Sequence, residues 1–113
     1  MGVRRFETGA VRDTDTGKLD YEGFLSPIVL ERYVQYMNKN RLQSDGSYRD
    51  SDNWQLGIPI VQYMKSLCRH FFVVWKGHRI GTINEEDVCG VMFNSMGILF
   101  ELLKTNKKGE KRT

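Results

Sequence analysis

The sequence of 113 residues predicts a small, mainly all-α domain: about three long helices behind an irregular N-terminal arm. Three observations carry that reading. Apolar residues recur at helical spacing in three separate segments. Each of those segments opens on a helix-start signal. Residues 1–25 show neither feature; they carry Gly9, Gly17, Gly23 and the polar run Arg12-Asp13-Thr14-Asp15-Thr16.

The first helix begins at Ser26-Pro27, because serine caps a helix N-terminus well and proline is tolerated in the first helical position. Leu30, Tyr33, Val34 and Met37 then fall on one face, and the helix stops near Asn40 or Arg41. Residues 43–53 are rich in Ser, Asp and Gly and read as a loop. Pro59 opens a second helix that runs to about Trp75 or Lys76. Its apolar stripe is Ile60, Tyr63, Met64, Leu67, Phe71, Val74 and Trp75, and Gly77 is its expected C-cap. Asn84 caps the third helix, whose first turn holds Glu85, Glu86 and Asp87, where negative charge complements the helix dipole. This helix is expected to end near Leu103 or Lys104 and to leave residues 105–113 as a charged, fraying tail.

The third helix carries three stripes. One is Val88, Val91, Met92, Leu99, Leu102 and Leu103. A second is Cys89, Phe93, Met96 and Phe100. The third is Asp87, Gly90, Asn94, Gly97 and Glu101. Two apolar faces on one helix exceed what two other helices and an arm can cover. The expectation is a homo-oligomer with helices packing between protomers.

Composition sets the limits. A chain of this length forms one domain, residues 1–113, with one hydrophobic core. Hydrophobic residues make up 40% and charged residues 27%, which excludes a wholly disordered or collagen-like chain. The net charge of +3 suits an anionic partner without implying a DNA or RNA polymer. Cys68 and Cys89 lie in apolar runs without metal-ligand spacing and read as two buried, reduced thiols of a cytosolic protein. The N-terminus lacks the apolar region of a signal peptide, and residues 67–75, interrupted by Arg69 and His70, are too short to span a bilayer.

Seven residues are candidates for holding a ligand. Asn94 stands in the middle of an apolar helix and has a donor and an acceptor for a base or ribose; the same stripe also reads as close helix packing through its glycines. Arg69 and His70 lie in the most apolar part of the second helix, where a guanidinium suits a phosphate; a solvated basic face and a core histidine are the plainer readings. Trp54, Trp75 and Phe93 are aromatic surfaces for a purine or ordinary core residues. Arg12 lies on an arm that can fold over a ligand or a neighbouring subunit. No GxGxxG, Walker A, HExxH or nucleophile-elbow pattern is present. A Mg²⁺ site would require Glu31 and Asp87 to meet across helices, and Asp87 and Glu101 are too far apart along one helix to share a metal.

Several segments together resemble a known group of proteins. They are Phe6-Glu7-Thr8-Gly9-Ala10 with Arg12-Asp13, the run from Gly17 to Pro27, Ser51-Asp52-Asn53-Trp54-Gln55 followed by Gly57-Ile58-Pro59, Tyr63-Met64-Lys65-Ser66-Leu67 followed by Arg69-His70, and Phe93-Asn94 followed by Met96-Gly97. The broader pattern resembles the dATP/dGTP diphosphohydrolase N-terminal domain. The closer resemblance, over nearly the whole chain, is to the first Thoeris anti-defence family of phage proteins. That resemblance implies a sponge: a protein of the infected bacterial cytoplasm that binds cyclic ADP-ribose signals from TIR-domain enzymes without cleaving them, needs no cofactor and forms helical dimers or hexamers. It also implies cyclic di- or trinucleotides as further ligands at separate sites. The broader pattern implies the alternative of a Mg²⁺-dependent diphosphohydrolase releasing pyrophosphate; on this chain Glu31 and Asp87 are the carboxylates that would have to meet to hold the metal. An all-α adaptor that blocks a host protein through its apolar faces, without nucleotide affinity, is a third reading.

Overall fold

The computed structural model describes residues 2–109. Two short strands, β1 (Arg4–Arg5) and β2 (Val11–Arg12), pair antiparallel with Arg4 opposite Arg12. A one-turn helix α1 (Tyr21–Phe24) and three long helices follow: α2 (Pro27–Lys39), α3 (Ile60–Ile80) and α4 (Glu85–Gly109). The predicted mainly α-helical class and the three long helices are what the fold contains.

Helix starts follow local chemistry. Ser26 accepts a hydrogen bond from Val29 N, with Pro27 in the first turn of α2. Asn84 Oδ1 accepts from Glu86 N at 2.8 Å at the start of α4. Pro59 itself is the N-cap residue of α3. Two helix ends lie later than the sequence predicts. The left-handed glycine that closes α3 is Gly81 (φ 88°), not Gly77. Gly77 stays helical and buried because the chain turns back over it: an added Cβ would meet the Thr82 carbonyl. Helix α4 continues through the first half of the expected tail to Gly109, aided by an ion pair between Lys104 and Glu101 (3.2 Å) and by Thr105 Oγ1 donating to the Glu101 carbonyl (3.0 Å). Residues 110–113 of that tail lie outside the described residues.

Helices α3 and α4 form an antiparallel hairpin with a one-to-one seam. Gly90 faces the His70 ring, where an added Cβ would stand 2.6 Å from Nδ1. Asn94 Nδ2 donates to Ser66 Oγ at 3.2 Å. Gly97 faces the Tyr63 ring more closely still. His70, Ser66 and Tyr63 thus mesh with Gly90, Asn94 and Gly97 at matched spacing. The polar third stripe of α4 is therefore the packing seam. The inward line of α3 is Tyr63, Ser66, His70 and Gly77; of the apolar stripe expected from sequence, Tyr63 is buried and Leu67 and Val74 are half-buried. Ile60, Met64, Phe71 and Trp75 face outward, and Cys68 is exposed whereas Cys89 is buried. Glycines on α4 provide depth for rings, and the polar pairs provide hydrogen bonds, so shape and pairing set the face in place of apolar area.

Helix α2 packs on α4. Tyr33, buried, reaches Met96 (OH to Sδ, 3.9 Å). Arg32 pairs with Glu85 at 2.7 Å and Lys39 with Glu86 at 2.6 Å, the pairing that holds the Glu86 carboxyl below its ordinary range. Burial pushes the Tyr33 phenol up to about 12 and raises Tyr36 and Tyr63 as well. A raised phenol stays neutral in the fold after it would ionise in the unfolded chain, so its stabilisation is full below pH 10 and lost on the way to pH 12. In a variant with the exposed Tyr21 and Tyr48 replaced by Phe, alkaline titration should therefore show phenolate absorbance and loss of helical circular dichroism rising together above pH 10; phenolate formation well ahead of unfolding in that variant would contradict the burial argument.

The chain leaves much apolar surface uncovered. Its radius of gyration is 19.5 Å, against about 13 Å for a compact chain of this length. Its accessible surface is 9534 Å², about 3,000 Å² above the expectation for a folded monomer of this mass. On α4, Val88, Leu99 and Leu102 are exposed. Residues Glu85–Asn106 of α4, 22 in number with hydropathy 1.3, have the length and composition of a bilayer-crossing helix, although one side of it is the seam on α3.

Candidate functional site

A cavity of about 340 Å³ opens where α2, α3 and α4 meet the segment between α2 and α3. Trp54 forms one wall, carried by a 3₁₀ turn (Asn53–Leu56) that Gly57 closes at φ 122°. Its indole meets Phe100 edge-on at 4.9 Å and Phe93 at 6.1 Å, and Phe93 in turn meets Tyr63 at 5.7 Å. This aromatic chain anchors the wall to α4.

The floor is polar. Asn94, only 3% exposed, spends both amide hydrogens inside the fold, on the Gly90 carbonyl (2.7 Å) and on Ser66 Oγ. Its Oδ1 takes no hydrogen bond among the described residues, so the residue presents an acceptor and no donor. His70 Nδ1 and Asp87 Oδ1 lie 3.0 Å apart. With the carboxylate accepting, Nδ1 carries the proton.

The rim is basic. Residues 41–49 form a small hairpin: Arg49 N donates to the Arg41 carbonyl at 2.8 Å, and Leu42 pairs with Tyr48. Gly46 (φ 88°) and Asp45 make the turn, where Ser47 N and Oγ both donate to Asp45 Oδ1 and hold its carboxyl below the ordinary range. Arg41 Nε donates to the Arg49 carbonyl at 2.7 Å, and Arg49 donates to the Asn40 carbonyl. Neither guanidinium forms an ion pair among the described residues. Both line the cavity, together with Asp50.

Four of the seven candidate residues, Trp54, His70, Phe93 and Asn94, meet at this cavity. Three do not. Arg69 is exposed on α3, because the seam takes its neighbour His70. Trp75 is exposed on the outer face of α3 against Phe72 (6.2 Å). Arg12 lies on β2 of the arm, opposite Arg4. The sequence reading missed Arg41 and Arg49. Their signal was the Asp45-Gly46 pair, a hairpin turn that brings two arginines eight residues apart to one edge.

For a metal, Asp87 is engaged by His70 and Glu31 is exposed on α2. No group of three His, Cys, Asp or Glu positioned to hold an ion occurs among the described residues. No family model, curated protein or solved structure matches the chain.

Proposed function

We infer that the protein is a non-catalytic nucleotide sponge that binds cyclic ADP-ribose signals and withholds them from an immune effector in the cytoplasm of an infected bacterium. One observation carries the reading: Trp54, Ile58, His70, Phe93 and Asn94, drawn from three separated segments of the family resemblance, converge on one cavity whose rim adds two arginines that form no ion pair among the described residues. The chemistry fits a dinucleotide. Trp54 or Phe93 is the stacking surface for adenine. Asn94 Oδ1 accepts from an exocyclic amine, and Arg41 and Arg49 take the diphosphate in place of the Arg12 and Arg69 expected from sequence.

The cavity lies near the small end of the range for drug-sized ligands, which runs from about 300 to 1,000 Å³. A second copy of the chain therefore completes the enclosure, in a dimer or hexamer, and uses the uncovered apolar surface to do so. Cyclic di- or trinucleotides are further ligands at separate sites. Neither a membrane nor a nucleic acid polymer is part of this reading.

The test is one incubation of the purified chain with cyclic ADP-ribose isomers, glycocyclic forms included, cyclic oligonucleotides and dNTPs, with Mg²⁺ present. Free nucleotides are read by mass spectrometry before and after heat denaturation. The expected result is a cyclic ADP-ribose that disappears from solution and returns intact on heating. Monophosphate and pyrophosphate accumulating from a dNTP would overturn the reading in favour of the hydrolase. No depletion of any nucleotide would favour an adaptor.

A further inference from the structure

The seam leaves the opposite face of α3 bare. That face carries Lys65, Arg69, Phe72, Trp75, Lys76 and Arg79 at helical spacing. Helix α3 has no Asp or Glu over its 21 residues. Lys76 Nζ lies 5.2 Å from the Phe72 ring centroid and the Arg79 guanidinium 5.8 Å from that of Trp75, so cations and rings form one patch. Phe72 and Trp75 are each about half exposed.

The arm has the converse character. Within residues 19–28, Leu19, Tyr21, Phe24 and Ile28 are exposed, Phe24 to 84%. The same ten residues hold Asp20 and Glu22 and no base. The arm's ordering is internal: Asp20 Oδ1 accepts from Gly23 N, Leu25 N donates to the Tyr21 carbonyl, and Arg4 pairs with Asp15. This segment belongs to the longest unbroken run of the family resemblance, yet it takes no part in the cavity.

We propose that residues 19–28 of one copy seat on the outer face of α3 in a second copy, and that the exchange is reciprocal. Three observations select this occupant. The two surfaces are opposite in charge and both apolar. Each lies uncovered within a single chain. The surplus surface of about 3,000 Å² exceeds what a standard interface of roughly 1,600 Å² removes from both partners together. A reciprocal exchange closes as a two-fold dimer with no free edge left over. The proposal rests on the homo-oligomer in the proposed function and specifies its contact; ligand binding is not used.

The experiment is a charge exchange read by sedimentation velocity. One variant, Asp20→Asn with Glu22→Lys, makes the arm basic and keeps a competent cap for α1. The other, Arg69→Glu with Lys76→Glu and Arg79→Glu, leaves Lys65 as the one cation of that patch against three carboxylates and makes the α3 face acidic. Alone, each places like charges on both proposed contacts and should associate at least tenfold more weakly than the wild-type chain, with unchanged circular dichroism. Mixed in equal amounts, they place opposite charges on both contacts and should associate as tightly as wild type. If the wild type is oligomeric and the arm variant associates equally well, or mixing fails to restore association, this contact is wrong although the oligomer stands. Pairing of α3 with α3 would instead make the acidic-face variant join the wild type through that face whatever the arm. A wild-type chain that stays monomeric overturns both the contact and the oligomer, and one that also pellets with anionic phospholipid vesicles assigns the basic face to lipid.

Discussion

Gly97→Ala should lower the stability of the fold by about 2 kcal/mol, and Gly97→Val should leave most of the chain unfolded at room temperature. In an exposed helix, exchanging glycine for alanine gains about 1 kcal/mol through backbone entropy. At Gly97 a Cβ enters the envelope of the Tyr63 ring, which is 2% exposed and held edge-on by Phe93 at 5.7 Å. Overpacking costs about 1–3 kcal/mol, and a Cβ inside a buried ring's envelope stands at the upper end, so about 3 kcal/mol of clash against about 1 of propensity leaves a net loss of about 2. Urea unfolding at fixed protein concentration measures the loss, and Tyr63→Leu in the Gly97→Ala background should recover most of it. An unshifted midpoint for Gly97→Ala would show that the ring yields freely and that the seam is loose.

Replacing both Arg41 and Arg49 by alanine should weaken the proposed nucleotide by 100-fold or more. Charge-assisted hydrogen bonds contribute about 1.5–3 kcal/mol each, and two guanidiniums bracket the same rim. The loss has a structural share as well, since Arg41 and Arg49 also tie the hairpin through carbonyls of Arg49 and Asn40. Arg49→Lys separates the two: it keeps the charge and loses the planar fork. Isothermal titration of the ligand that heat releases intact should rank wild type, then the lysine variant, then the double alanine variant. Equal affinities in folded variants would remove the rim from the site and leave the aromatic wall and Asn94 to explain binding.

What the sequence made legible was local. Ser26-Pro27 and Asn84 start helices where expected because a cap is satisfied by its own next turn. Surplus apolar surface on α4 was likewise readable, because it depends on how much of a helix circumference is apolar. The orientation of α3 was not. Met64, Phe71 and Trp75 have the area, but Tyr63, Ser66 and His70 have the partners across the seam, and periodicity weighs area without shape. Asn94 was found as a lone polar residue in an apolar helix. That it retains only an acceptor depended on where Ser66 and the Gly90 carbonyl lie. Arg69 and Trp75 were read as site residues on chemistry alone, and a rotation of the helix about its axis set them outside the cavity.

The keyed seam also orders events in time. Its partners lie close along the chain, joined by a four-residue connection, so the α3–α4 hairpin closes by local, first-order steps of the kind that make helical proteins fold fast. The arm is synthesised earlier than the hairpin, and under the proposed exchange it finds its seat only when two finished hairpins meet. Self-association would then be a late, second-order step whose rate falls as the chain is diluted. If the proposed sponge function holds, a cell with few copies of the chain would contain mostly hairpins waiting for a partner, and capacity to hold a ligand would rise faster than in proportion to the amount of protein made.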